Sequence, residues 1–169
     1  MRIYLIGYMG SGKSTVGKGL ARALKLQFID LDSYIEKRNF KTIPEIFASE
    51  GEDGFRRAER KALQEVSEFE DVVIATGGGA PCFFDNMEII KKTGISLYLN
   101  GSSKIIAERL LNSKTERPLI KGKSKEELIA FIAETLSKRN EWYMKADVIL
   151  NFDHDISTDE VLKSLKEII

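Results

Sequence analysis

The chain has 169 residues, which predicts one domain large enough to bury a substantial hydrophobic core. Its 26 lysines and arginines balance 26 aspartates and glutamates, and this zero net charge argues against nucleic acid or an anionic membrane as a partner. A single cysteine, Cys82, excludes an internal disulfide and fits a reducing compartment. We expect a soluble cytoplasmic protein, because no apolar run is long enough to cross a bilayer and the first residues do not resemble a signal peptide.

Strand and helix patterns alternate along the chain. Short apolar runs predict strands at residues 3–6, 28–29, 72–75, 95–99 and 148–150. Helical spacing of apolar residues predicts helices at 15–25, 32–38, 43–50, 54–68, 85–92, 102–112, 125–144 and 157–168. This alternation predicts an α/β fold of three layers, with a five-stranded parallel sheet between helices and ligands at the carboxyl ends of the strands.

A phosphate-binding loop connects the first predicted strand to the first predicted helix. Residues 7–14, GYMGSGKS, match the pattern G-x-x-x-x-G-K-[ST] in the strand-to-helix context that the pattern requires. Glycines let the backbone approach a ligand closely, and successive N–H groups at a helix N-terminus form an anion-binding concavity. We therefore expect Lys13 to contact the β- and γ-phosphates of a nucleotide and the Ser14 hydroxyl to bind Mg²⁺. The alternative, a glycine-rich turn that binds nothing, is disfavoured by the full match.

Two carboxylates, Asp30 and Asp32, follow the second predicted strand. One of them can hold Mg²⁺, usually through water, and the other can orient an acceptor hydroxyl or take its proton. The alternative is that one of them caps the helix that begins near Ser33 and the other is solvated. The nearby phosphate loop favours a site. Many phosphate-loop enzymes hold the metal with an aspartate at the end of a strand, but no aspartate follows the third predicted strand here. We therefore expect Ser14 and Asp30 to bind the metal.

An arginine and a glutamate, Arg56 and Glu59, lie three residues apart on a predicted helix. Arginine is suited to bidentate capture of a carboxylate, and the glutamate is close enough to hold the guanidinium in place. Spacing alone nevertheless favours an ordinary solvated ion pair. The glycines at 77–79, which end the third predicted strand, leave backbone N–H groups open to a ligand.

The segment from Lys114 to Lys123 carries four cations and one acid between two predicted helices. A basic loop of this kind can close over ATP and bring Arg117 to the transferred phosphate, although a charge run is usually a solvated face. Arg139 lies four residues before Tyr143, and its spacing does not decide between a second substrate cation and a surface arginine. His154 is expected to be solvated rather than catalytic.

Taken together, these residues resemble the shikimate kinase family over almost the whole chain. The phosphate loop is shared by many families, and five further motifs in this order are much more specific. They are Phe28-Ile29-Asp30-Leu31-Asp32, Gly51-Glu52-x-x-Phe55-Arg56-x-x-Glu59, Thr76-Gly77-Gly78-Gly79, Arg117-Pro118-Leu119 and Arg139-x-x-x-Tyr143. The family transfers the γ-phosphate of ATP to the 3-hydroxyl of shikimate, on the pathway to chorismate and the aromatic amino acids.

The resemblance implies one P-loop kinase domain over 1–169, nucleoside-monophosphate-kinase-like, with a substrate-binding subregion at about 32–60 and a mobile lid at about 112–124. It also implies one Mg²⁺ per subunit, ATP as co-substrate, shikimate as acceptor, and a monomer without a nucleic-acid or membrane partner. The contact with the adenine base is not assigned to one residue among 151–155.

The resemblance further implies a role for each motif residue. The implied catalytic residues are Lys13, Asp32 and Arg117. The implied ATP-binding residues are Gly10, Ser11, Gly12, Lys13, Ser14, Thr15, Arg109 and Arg117. The implied substrate-binding residues are Asp32, Arg56, Gly78, Gly79 and Arg139. The implied metal-binding residues are Ser14 and Asp30.

Two other classes of function stay open. One is a different small-molecule kinase on the same fold, such as a gluconate kinase or a nucleoside monophosphate kinase, against which the paired arginines and the three glycines argue. The other is a nucleotide-binding regulatory protein that has lost catalysis. That class predicts a substitution at Lys13, Asp32 or Arg117, and all three residues are present.

Overall fold

The computed structural model describes residues 1–113 and 120–169. The described strands are β1 Arg2–Ile6, β2 Gln27–Asp30, β3 Val72–Ala75, β4 Ile95–Gly101 and β5 Val148–Phe152. The described helices are α1 Lys13–Leu24, α2 Leu31–Asn39, α3 Ile43–Val66, α4 Asn86–Thr93, α5 Ser103–Asn112, α6 Lys125–Tyr143 and α7 Thr158–Leu165. Among these helices, none combines the length and the apolar character needed to cross a bilayer.

The described strands form one parallel sheet in the order β2-β3-β1-β4-β5. The carboxyl ends of three strands meet at one edge, because Ala75 of β3 pairs with Leu5 near the end of β1 on one side and with Asp30 of β2 on the other. The phosphate pattern, the two carboxylates and the three glycines all lie at this edge, where the chain leaves the sheet. The predicted fold class is confirmed.

Helices cover both faces of the sheet, as a buried parallel sheet requires. In β1, Ile3 and Leu5 belong to the apolar core on one face, whereas Tyr4 and Ile6 belong to the core on the other face. Side chains of a strand alternate between its two faces, and all four of these are fully buried. The phosphate loop therefore follows the central and most deeply buried part of the sheet.

One helix differs from its prediction because of a single glycine. The segments 43–50 and 54–68 are predicted as separate helices, but the structure has a kinked helix α3 from Ile43 to Val66. Gly51 lies at the kink with φ 70° and ψ −175°, a backbone conformation that is essentially restricted to glycine. A short 3₁₀ turn at Ala80–Cys82, just after the three glycines, was not predicted.

Candidate active site

The phosphate loop has the backbone geometry that its glycines predict. Gly10 and Gly12 have φ values of 80° and 94°, and Gly12 precedes α1 without a side chain that caps the helix. The ammonium group of Lys13 turns back over the loop and donates hydrogen bonds to the carbonyl oxygens of Gly7 at 2.6 Å and Tyr8 at 3.0 Å. The first turn of α1 lines a cavity of about 310 Å³, the first cavity, suited to an anion at a helix N-terminus.

Asp30 has two functions, one at each carboxylate oxygen. Its Oδ2 accepts a hydrogen bond from the Ser14 hydroxyl at 3.0 Å, and its Oδ1 accepts one from the backbone N–H of Ser33 at 3.1 Å. The residue is thus the N-cap of α2 and also the partner of the predicted metal-binding serine. The capping role of this aspartate is confirmed, and its metal role stays a prediction.

The oxygen atoms of Ser14 and Asp30 fit Mg²⁺ in kind and in number. Mg²⁺ binds hard oxygen ligands and usually keeps several waters, so that one or two side chains and the substrate phosphates suffice. Over residues 1–113 and 120–169, no group of three or more His, Cys, Asp and Glu side chains could form a metal site made by the protein alone. Ser14 and Asp30 would leave the other positions of a magnesium ion to water and to nucleotide phosphates.

Asp32 lies where the first cavity meets a second cavity of about 270 Å³. The second cavity is lined by Arg56, Glu59 and Arg139, and both cavities are lined by Asp32. Burial raises the pKa of the Asp32 carboxyl, the neighbouring Asp30 raises it further, and the cation of Lys13 opposes them. The carboxylate is therefore placed between a phosphate site and a cationic site.

The ion pair of Arg56 and Glu59 is buried, so the expectation of a solvated pair is wrong. Arg56 Nη1 donates a hydrogen bond to Glu59 Oε1 at 2.9 Å, and the two side chains are 14% and 1% exposed. The guanidinium also lies 4.0 Å from the ring centroid of Phe83. A Cβ atom at Gly79 would lie 2.8 Å from Arg56 Nη2, so the guanidinium can lie against the backbone because this residue is glycine.

Arg139 reaches the same cavity from α6 and is therefore not a surface arginine. Its guanidinium lies 5.4 Å from the ring centroid of Tyr8, and its Nη1 atom would be 3.2 Å from a Cβ atom placed at Gly78. Arg56 and Arg139, which are far apart in the sequence, thus line one cavity together. This pair can bind an anionic group such as a carboxylate.

The remaining predicted residues lie at the edge of the phosphate loop or outside the described part of the chain. Arg109 Nη1 donates to the Gly10 carbonyl oxygen at 3.4 Å, and its Nη2 donates to Asp155 at 2.9 Å. It therefore contacts the loop that is expected to hold the phosphates. Arg117 and the rest of residues 114–119 lie outside the described residues. His154 is 60% exposed and lies between two carboxylates, in agreement with a solvated histidine.

Sequence reasoning missed Ile43, Phe131 and Thr135, which also line the second cavity. Phe131 and Thr135 precede Arg139 on α6 by eight and four residues, so one face of this helix carries these three residues. That periodicity is the signal that could have identified Phe131 and Thr135. A role for the hydroxyl of Tyr143 was also missed, and this hydroxyl contacts two residues that line the cavity, Arg139 and Gly78.

Comparisons with known proteins identify the family of the chain. The shikimate kinase family model matches residues 9–169. A shikimate kinase from Parabacteroides distasonis is 53% identical over 160 residues, which are 95% of this chain and 92% of the relative. The crystal structure of the shikimate kinase from Bacteroides thetaiotaomicron has a TM-score of 0.89 at 48% identity and covers 99% of this chain and 96% of its own.

A second solved structure, the shikimate kinase from Acinetobacter baumannii in complex with shikimate, has a TM-score of 0.87 at 36% identity. The match covers 99% of this chain and 92% of that one. Sequence and structure thus agree over nearly the full length of each protein, and the chain belongs to the shikimate kinase family.

Proposed function

We propose that the chain transfers the γ-phosphate of ATP to the 3-hydroxyl of shikimate and so forms shikimate 3-phosphate for aromatic amino acid biosynthesis. The observation that carries this proposal is the position of Asp32 between a cavity lined by the phosphate loop and a cavity lined by two arginines. A phosphoryl donor in the first cavity and a hydroxy acid in the second would meet at this carboxylate. The proposal includes action as a single-domain monomer in the cytoplasm.

In this proposal the acceptor is held by its own carboxylate. Arg56 and Arg139 bind that group, and the backbone of Gly78 and Gly79 contacts the ring. The fork of an arginine suits a carboxylate better than a lysine would, because its parallel N–H groups match the two oxygens. The bound ring would then present a hydroxyl to Asp32. This carboxylate accepts its hydrogen bond and takes its proton as the new oxygen–phosphorus bond forms, while the bond from the γ-phosphorus to ADP breaks and ADP leaves.

The donor phosphates are held by the loop from Gly10 to Thr15. Lys13 offsets charge on the transferred group, and Arg117 does so from the segment expected to form the lid, at about 112–124. Ser14 and Asp30 would hold Mg²⁺, which neutralises charge on the β- and γ-phosphates when it is bound. Transfer is direct and in line, and no covalent intermediate on the protein is required.

A coupled ADP-release assay with shikimate, gluconate and AMP as alternative acceptors tests the reaction. We expect turnover with shikimate alone, and comparable turnover with gluconate or AMP would contradict the proposal.

The acceptor site is tested by Arg56→Ala, which should raise the KM for shikimate by about tenfold or more while the KM for ATP changes less. The matched control is Arg57→Ala, because Arg57 is the next residue and is exposed. Equal losses for both substrates would contradict the role of Arg56.

A further inference from the structure

We propose that Tyr143 is a positioning residue for the acceptor site, because its buried hydroxyl links the Arg139 guanidinium to the Gly78 carbonyl. The inference rests on the proposed binding of the shikimate carboxylate by Arg139. In the proposed arrangement Tyr143 touches neither substrate, and it acts through Arg139 and Gly78, which contact the acceptor.

The hydroxyl of Tyr143 makes one hydrogen bond in each direction. It donates to the carbonyl oxygen of Gly78, and it accepts from Arg139 Nη1 at 3.4 Å. The direction of both bonds is fixed, since a carbonyl oxygen cannot donate and a guanidinium cannot accept. The chain of bonds therefore runs from Arg139 through Tyr143 to Gly78.

The ring of Tyr143 is held rigidly, so its hydroxyl has a defined position. The residue is the last of α6 and is fully buried, and its ring packs on that of Tyr98 in β4 with 4.9 Å between centroids. Burial raises the pKa of the Tyr143 hydroxyl far above its ordinary value. The hydroxyl thus keeps its proton, and remains a donor to Gly78, at any pH at which a kinase is assayed.

The linked groups lie where the two substrates meet. A Cβ atom at Gly78 would lie 3.2 Å from Arg139 Nη1 and 3.4 Å from the backbone nitrogen of Met9 in the phosphate loop. Gly78 therefore lies close to both the acceptor arginine and the phosphate loop. Because small displacements of a bound group lower the rate of an oriented reaction, fixing this position favours productive binding of the acceptor.

Tyr143→Phe tests the inference, because it removes the hydroxyl and keeps the buried ring. We expect the KM for shikimate to rise about tenfold, since a charged donor and a carbonyl each lose a partner, while the KM for ATP changes less than about twofold. The matched control is Tyr4→Phe, which removes another buried hydroxyl, one that shares a hydrogen bond of 2.7 Å with Thr93 Oγ1; neither Tyr4 nor Thr93 lines the two cavities. The control should leave both KM values unchanged.

Thermal unfolding of both variants separates positioning from a structural role. A structural role would lower the melting temperature of Tyr143→Phe without a difference between the two KM values, and this result would overturn the inference. Should Tyr143→Phe fold poorly, isothermal titration of its folded fraction with shikimate gives the same comparison. Unchanged shikimate affinity in that titration would also overturn it.

A double-mutant cycle with Arg139→Ala identifies the route of the effect. If Tyr143 acts through Arg139, Tyr143→Phe should weaken shikimate binding by much less in the Arg139→Ala background than in the wild type. Full additivity would overturn the link between the two residues. An unchanged KM for shikimate in Arg139→Ala would overturn the proposed acceptor site itself. If the KM for shikimate rises in Arg139→Ala but is unchanged in Tyr143→Phe, only the positioning role of Tyr143 is overturned.

Discussion

Arg56 Nη1 lies 2.9 Å from Oε1 of Glu59, and 1% of that glutamate side chain is exposed to solvent. The second carboxylate oxygen of Glu59 lies near Gly77, where a Cβ atom would be 3.1 Å from it. A buried ion pair that loses one charge leaves the other without compensation, which costs more than the loss of an exposed pair. The orientation of the Arg56 guanidinium in the second cavity therefore depends on an ionised Glu59.

The first prediction concerns that glutamate. Glu59→Gln keeps the shape of the side chain and removes its charge, so we expect the KM for shikimate to rise about tenfold while the KM for ATP changes less than about twofold. Glu52→Gln is the matched control, because Glu52 pairs with Arg56 Nε at 3.7 Å but is 60% exposed. Exposed pairs contribute little, so the control should behave as the wild type. Similar KM values in the two variants would contradict the role of Glu59.

The second prediction concerns pH. Burial raises the pKa of the Glu59 carboxyl above its ordinary value, and the cation of Arg56 opposes this. The folded state then binds the proton more tightly than the unfolded chain, so this group's contribution to the free energy of unfolding falls as pH rises from the unfolded-state pKa through the folded-state pKa. Activity changes in the opposite direction, because ionised Glu59 holds Arg56.

Two pH profiles check this second prediction. The kcat/KM for shikimate should rise with pH across the acid range, and Glu59→Gln should lose one ionisation from that limb. The free energy of unfolding, measured by urea denaturation at each pH, should decrease for the wild type relative to Glu59→Gln over the same window. Parallel stability profiles would show that Glu59 has an ordinary pKa, and identical acid limbs would show that its ionisation does not control activity.

The third prediction concerns Gly79. Its φ of −85° is open to any residue, so Gly79→Ala introduces a steric effect without backbone strain. The new methyl group would lie 2.8 Å from Arg56 Nη2, and the flexible end of that side chain must move. We expect the KM for shikimate to rise about tenfold or more, since displaced binding groups weaken oriented binding, with little change in melting temperature. A wild-type KM would show that the guanidinium can move without loss.

Local patterns predicted the parts of the molecule that local physics determines. The phosphate loop, its strand and its helix follow from a short run of residues, and Asp30 caps α2 because an aspartate before a helix usually does. The site at the carboxyl edge of the sheet also follows, because parallel strands bring their following loops together.

Contacts between distant segments were beyond these patterns. The burial of Glu59 depends on how α3 packs near Gly77, and the spacing of three residues to Arg56 carries no information about that packing. The Tyr143 hydroxyl contacts Gly78 across 65 positions of sequence. The role of Arg139 followed from family resemblance, because its spacing alone left a surface position equally open.

The fourth prediction concerns Lys13. Its ammonium group donates hydrogen bonds to the carbonyl oxygens of Gly7 and Tyr8, and it can exchange these bonds for contacts with the phosphates of a nucleotide. Removing one charge-stabilising donor typically lowers kcat by about 10²–10³, so Lys13→Met should show at least a loss of this size. Shikimate affinity, measured by titration calorimetry without nucleotide, should stay within about twofold because Lys13 does not line the second cavity. A comparable loss of shikimate affinity would contradict this assignment.

The fifth prediction separates the two functions of Asp30. Asparagine is as good an N-cap as aspartate, so Asp30→Asn should keep the cap of α2 and lose the charge beside Ser14. We expect the Mg²⁺ concentration for half-maximal rate to rise about tenfold, because a neutral amide is a weaker ligand for a hard cation, with a nearly unchanged melting temperature. Asp30→Ala removes both functions and should cost about 1 kcal/mol of stability in addition. Magnesium titrations of the rate and thermal unfolding measure the two effects. An unchanged magnesium dependence in Asp30→Asn would mean that this aspartate serves the helix alone.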